Sequence, residues 1–252
     1  IEKINSTVGV ENLQFEGRLI GTLSGSADSL YFYSLANISN LRYDTVLVKE
    51  IVAEVNTESI NNEFSGFFKI NSKDAVIQSF SIKSINFESN FNPKNATSRF
   101  TYFANDSLNG KIESFIEFSD NPSLFFHDID LNFYNNYWKG GSKESFIRFG
   151  KDSIEINKFE ILTDESAIQA NGVFAFKGAE DLHVDIKNMN LIKIPGIQLL
   201  PYRFSGKINS ALALSGTAKN PILIAKLKVD KFAVDSLKFK TLNTEIEYQK
   251  KN

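Results

Sequence analysis

The chain has no cysteine, and that removes two classes of protein at once. Neither a disulfide-stapled scaffold nor a thiolate metal centre can be built from it. Only two histidines, His127 and His183, are available for imidazole chemistry, and there are five prolines, one tryptophan and one methionine in 252 residues. No apolar run approaches the roughly 18–20 residues that a membrane-spanning helix needs. The net charge is −2, with acidic and basic residues interspersed. A nucleic-acid binder would carry a basic stripe or patch, so nucleic acid is not an expected partner. Helix signals are equally scarce. The best candidate is "NLIKIPGIQLLPYRF", where Asn190 can cap and Pro195 and Pro201 limit the helix to a turn or two near 188–202.

What the chain does have is aromatic and β-branched residues in alternation. There are 23 Phe and 8 Tyr, residue types that suit pleated, half-buried surfaces. Side chains on a strand alternate faces, so a one-sided sheet writes itself with period two. Ile168, Ala170, Gly172, Phe174 and Phe176 share one phase, opposite Gln169 and Asn171. Leu182, Val184 and Ile186 alternate with His183, Asp185 and Lys187. The same pattern recurs at Leu212 and Leu214, at Leu237 and Phe239, and at Ile246 and Tyr248. Strands buried on both sides would be apolar in both phases, so antiparallel hairpins are expected. Ile154 and Ile156 give way to Phe159 and Ile161, and Leu227 and Val229 to Phe232 and Val234, the signature of β-bulges. Val and Ile content assigns 46–55, "VLVKEIVAEV", to strand as well.

Turn chemistry repeats along the chain. Asp-Ser-Leu or Asp-Ser-Ile begins at Asp28, Asp106, Asp152 and Asp235, each leading into an apolar alternation, and Asn-Pro corners stand at Pro93, Pro122 and Pro221. A unit with a central glycine recurs around Gly17, Gly66, Gly110, Gly172 and Gly206, marking bulges or close backbone approaches. The uneven spacing excludes a fixed solenoid rung and fits a meander of unequal strands.

Reactive constellations are missing. His127 is read in phase with Phe125 and Ile129, and His183 in a polar phase, so a joint metal site is not expected. Asp128 and Asp130 share a solvated face, without the loop of a calcium site. "YWKGGSK" lacks phosphate-loop spacing and reads as a hairpin turn. The four Asn-x-Ser/Thr sequons, beginning at Asn5, Asn37, Asn95 and Asn105, are no more than this Asn- and Ser-rich composition gives by chance. No nucleophile elbow, zinc motif or dinucleotide fingerprint is present. The expectation is a non-enzyme with no catalytic residues, metal or cofactor.

An apolar sheet face has to be covered, by a second sheet, by helices or by something apolar from outside. With almost no helix, the choice lies between a closed sandwich and an open trough. Burying methylene is worth about 0.8 kcal/mol per group, so a sixteen-carbon chain entering water loses on the order of 12 kcal/mol. A continuous apolar lining would remove most of that cost.

The order of units in "YRFSGKINSALALSGTAKNPILIAKLKVDKFAVDSLKFKTLNTEIEYQ" resembles the TamB branch of the AsmA-like envelope proteins. A glycine (Gly206) leads into an alternating strand (Leu212, Leu214), followed by a Gly-Thr break (Gly216, Thr217), a proline corner (Pro221), two strands and a tyrosine-ended strand (Tyr248). The preceding "DSIEINKFEILTDESAIQANGVFAFKGAEDLHVDIKNMNLIKI" is similar to the family's lead-in. The likeness is fullest over 145–252, which is expected to form a TamB-like repeat region. Residues 1–144 form a β-meander that echoes it more faintly and continues into it.

The resemblance implies a long antiparallel sheet bent into an open trough with an apolar interior, as an internal or C-terminal-region segment of a longer, inner-membrane-anchored protein of the Gram-negative periplasm. It further implies passage of phospholipid acyl chains between the two membranes, for which the apolar phase of the alternation supplies the expected lining: Ile154, Ile156, Ile168, Phe174, Phe176, Leu182, Val184, Ile186, Leu212, Leu214, Leu227, Val229, Leu237, Phe239, Ile246 and Tyr248. A BamA-like barrel is an implied partner, although no residue here matches a partner-binding C-terminus. Two alternatives stay open: a scaffold for outer-membrane protein assembly, and a closed β-sandwich surface or adhesion module.

Overall fold

The computed structural model describes residues 13–26, 28–77, 80–133, 136–142, 144–194, 197 and 200–249. Asn5 and Pro195 therefore lie outside the described residues. The all-β, antiparallel expectation holds: among the described residues there are seventeen strands, and the only helical residues are those of the 3-10 turn at Leu191–Lys193 and Ile197. Asn190 caps that turn as expected, its side-chain oxygen accepting from the Ile192 amide at 3.2 Å.

The chain forms two compact units, Ile1–Phe118 and Ser119–Asn252. The first is a meander of β1 (Leu13–Ser26), β2 (Ser29–Tyr43), β3 (Val46–Ile60), β4 (Glu63–Ile77), β5 (Phe80–Phe91), β6 (Asn95–Asn105) and β7 (Leu108–Glu117). Each strand pairs antiparallel with the next. The second contains β8 (Ser123–Phe133), β9 (Asn136–Gly140), β10 (Phe146–Phe149), β11 (Ser153–Leu162), β12 (Ala167–Ala175), β13 (Ala179–Asn190), β14 (Phe204–Thr217), β15 (Asn220–Val234), β16 (Leu237–Lys238) and β17 (Thr241–Gln249). From β11 to β15 it too is a meander.

Two lanes of the second unit are shared by a pair of short strands. β9 and β10 both pair with β8 on one side and β11 on the other. β16 and β17 both pair with β15. This corrects the reading of "YWKGGSK" as a hairpin turn. The chain keeps its direction through Gly140 and Gly141, leaves the lane, and resumes it at Phe146. Gly141 makes the departure with a φ of 93°, a conformation that L side chains rarely adopt.

The turn residues stand where their chemistry places them. Asp28, Asp106, Asp152 and Asp235 each lie between successive strands. At the Pro93 corner the Asn92 side chain accepts from the Lys94 and Asn95 amides at 2.9 and 3.0 Å. The phase slips are bulges, as expected. The β11–β12 register shifts between Ile156 and Phe159, with Lys158 at φ 48°. The β14–β15 register shifts opposite Lys231, at φ 53°. A third bulge, at Asn188, joins the phase of Ile186 to that of Met189. Two bulged amides, stranded from the ladder, are satisfied by asparagines of the neighbouring strand. Asn171 accepts from Lys158 at 3.1 Å and Asn209 from Asn188 at 2.9 Å.

Burial is sparse for so long a chain. Among the described residues twelve hydrophobics are buried, five of them alanines, and no large side chain is fully enclosed. The accessible surface is 16,459 Å², against about 11,200 Å² for a compact monomer of this mass.

Candidate functional site: an uncovered apolar sheet face

Residues directly opposite across an antiparallel pair share a face, so the register traces the apolar side of the second unit strand by strand. Ile154 opposes Phe174, Ile156 opposes Gly172 and Ile161 opposes Ile168. Ile168 opposes Ile186, and Gly172 opposes Leu182. Leu182 and Val184 oppose Leu214 and Leu212. Beyond them Leu214 meets Leu223, Leu212 meets Ala225, Ser210 meets Leu227 and Ile208 meets Val229. On the last lane Tyr248 opposes Leu223, Ile246 opposes Ala225 and Leu237 opposes Val234. Phe176 joins through its ring, 5.7 Å from that of Phe174, and Phe239 stacks on Phe232 at 5.8 Å. All sixteen residues singled out by periodicity therefore lie on one face. Sequence reasoning did not name Phe159, Met189, Ile208, Leu223 or Leu242 for this face, although the register places them there too.

The bulges are what keep the face apolar. Without the extra residue at Lys158, Phe159 and Ile161 would turn to the side of Glu155. Gly172 permits the β12–β13 approach: a Cβ there would lie 1.8 Å from the Asp181 carbonyl oxygen. The face stays largely open. Phe176 is 55% exposed and Leu237 64%, while Val229, at 3%, is its most buried member.

The opposite face is polar and laced with ion pairs. Arg148 bonds Glu155 at 2.9 Å and packs 4.6 Å from the Phe146 ring centroid. Lys226 meets Glu245 at 3.4 Å, Lys228 meets Asp230 at 3.1 Å, and Gln169 donates to Glu160. The Lys158 ammonium, 2.5 Å from Glu144, holds that carboxyl below its ordinary range. His183 lies here, 3.1 Å from Asp181. His127 is exposed, and Phe125 and Ile129 fall on opposite faces, so the three do not share one phase as read from the sequence. Among the described residues no group of three or more His, Asp or Glu could hold a metal ion.

The first unit carries an apolar face of the same construction, for which sequence reasoning proposed no lining. Phe68 and Ile70 alternate on β4, Ile70 opposes Phe87, Phe87 opposes Phe100, and Phe100 opposes Ile112. Leu19, on β1, is 73% exposed. On this face burial pushes the Tyr102 phenol up to about 12.

No family model matches the chain, and no curated protein or solved structure is significantly similar to it.

Proposed function

We propose that the chain is a segment of a bridge-like lipid-transfer protein of the bacterial periplasm, akin to the TamB branch of the AsmA-like proteins. In this reading the sheet bends into a trough and its apolar face carries phospholipid acyl chains. The observation that carries the reading is the open, predominantly apolar face that runs through every lane from β11 to β17 and lacks a covering layer among the described residues. Monomers rarely leave contiguous apolar patches larger than a few hundred Å² exposed, and larger ones mark a binding partner or a membrane. A hydrocarbon chain asks for no directed hydrogen bonds, which suits a lining whose one carboxylate, Glu180 at the rim of β13, is itself buried. The residues contribute by solvating acyl chains collectively, and no single one is essential. A BamA-like barrel would engage residues other than these.

Mass spectrometry of the lipids retained by the purified chain tests this directly. Phospholipid is expected in stoichiometric amounts. Leu214→Asp and Phe176→Asp, on the apolar face, are expected to lose it, and Asn243→Asp, on the polar face opposite Lys228, to keep it. Equal retention by all three would overturn the assignment of faces. Crosslinking to unfolded barrel strands with no lipid bound would favour an assembly scaffold instead.

A further inference from the structure

The polar face of the second unit holds a separate concavity of about 720 Å³, within the ~300–1,000 Å³ range of small-molecule sites. It forms beside Gly141, Ser142 and Ser145, where the β9–β10 lane is interrupted, and β11, β12 and β13 supply most of the rest of its lining. One of the lining residues is Ser145, only 2% exposed, and its hydroxyl has no hydrogen-bond partner. An unmet buried hydroxyl is costly unless something entering the site bonds it.

The register assembles the remaining polar groups into a compact block. Asn171 stands directly opposite His183, and Gln169 directly opposite Asp185. Across β11, Glu160 opposes Gln169. Charge is balanced: Lys139 and Lys158 line the concavity with Glu160 and Asp185. Glu144 holds Lys158, and Gln169 donates to Glu160. Such a lining gives no net field to draw in a phosphate or a metal ion, and it would leave either one facing a like charge. What it offers is several donors and acceptors side by side on planar amide, carboxylate and imidazole groups. Vicinal hydroxyls, each able to donate and accept, match that arrangement.

We infer that this concavity binds a neutral carbohydrate, with Ser145, Asn171 and Asp185 bonding adjacent hydroxyls of one sugar segment. The site lies on the face opposite the apolar lining and does not depend on the lipid reading. The test is titration of the full isotope-labelled chain with maltotetraose and with chitotetraose, following backbone amide shifts. Inorganic phosphate and calcium serve as counter-probes. Saturable shifts confined to 139–142, 145, 169–171 and 183–185 are expected with at least one sugar. Asp185→Asn, a surface isostere, and Ser145→Ala should each weaken binding about tenfold or more, whereas Lys226→Ala, exposed on the same face two lanes away, should not. If Ser145→Ala fails to fold, as judged by circular dichroism, Asp185→Asn decides. Absence of shifts with both sugars overturns the inference. So do equal shifts with phosphate, or sugar binding indifferent to Asp185→Asn.

Discussion

The apolar faces of the two units differ in how they treat hydroxyls. In Ser119–Asn252 they occur singly: Ser210 lies between Ile186 and Leu227, and Thr244 lies beyond Leu227. In Ile1–Phe118 three serines stand side by side across β5, β6 and β7. Ser89 opposes Ser98, Ser98 opposes Ser114, and the Ser98 hydroxyl donates to that of Ser89 at 2.9 Å. An apolar face tolerates a polar lane when its members satisfy one another, because the desolvation cost is then met internally. The second unit thus presents hydrocarbon interrupted only at single positions, Ser210, Thr244 and the buried Glu180 at the start of β13, and the first presents hydrocarbon crossed by a hydroxyl lane. On the proposed function, acyl chains should sit more readily on the second.

The strongest challenge to that contrast is a charge placed on each face. Val229→Asp puts a carboxylate at the most buried point of the second face and should cost about 3 kcal/mol or more in urea unfolding. Ser98→Asp, beside other hydroxyls, should cost clearly less. Equal losses would mean that the two faces do not differ in polarity. Next in size is Gly172→Val, expected to cost about 1–3 kcal/mol. The added side chain collides with the Asp181 backbone, and hydrogen exchange should locate the loss in β12 and β13.

The serine lane itself is sharpened by a double-mutant cycle. Ser89→Ala alone leaves the Ser98 hydroxyl without its acceptor and should cost about 1 kcal/mol, while Ser89→Ala with Ser98→Ala should cost less than the sum. Alkali probes the same face through Tyr102. Its folded-state pKa, about 12, lies above the ordinary phenol value of 10.0, so the unfolded chain ionises first. Stability is therefore lost as pH rises from 10 toward 12, and Tyr102→Phe should flatten that loss in denaturation curves taken across the interval. The smallest effect belongs to the polar face: Lys226→Ala removes an exposed ion pair and should change unfolding free energy by less than about 1 kcal/mol.

Much of this architecture is legible in the residues themselves. The alternation of Leu182, Val184 and Ile186 with His183, Asp185 and Lys187 identifies a one-sided strand and assigns its faces. The slips after Ile156 and Val229 announce bulges, because only an extra residue returns Phe159 and Phe232 to the apolar side. The bulge at Asn188 was harder to see, since Met189 alone marks the change of phase. At the break at Gly140 and Gly141 the local sequence suggests a reversal, because a glycine pair permits one. That it is an interruption of a single lane depends on β8 and β11 flanking both halves, which no local pattern encodes. The carbohydrate-like concavity left no motif either: its groups come from β9, β11, β12, β13 and a loop, and only the register makes them neighbours.

The sequence by itself determined the strands, their polar and apolar sides and most of their turns, because period two and turn chemistry act over a few residues. Tertiary structure alone decided which strands are neighbours, how each lane is registered and whether anything covers the apolar side. Those outcomes depend on contacts between residues distant in the chain, and alternation writes a lining and a core in the same letters. That is why an uncovered face becomes evident only once the strands are paired.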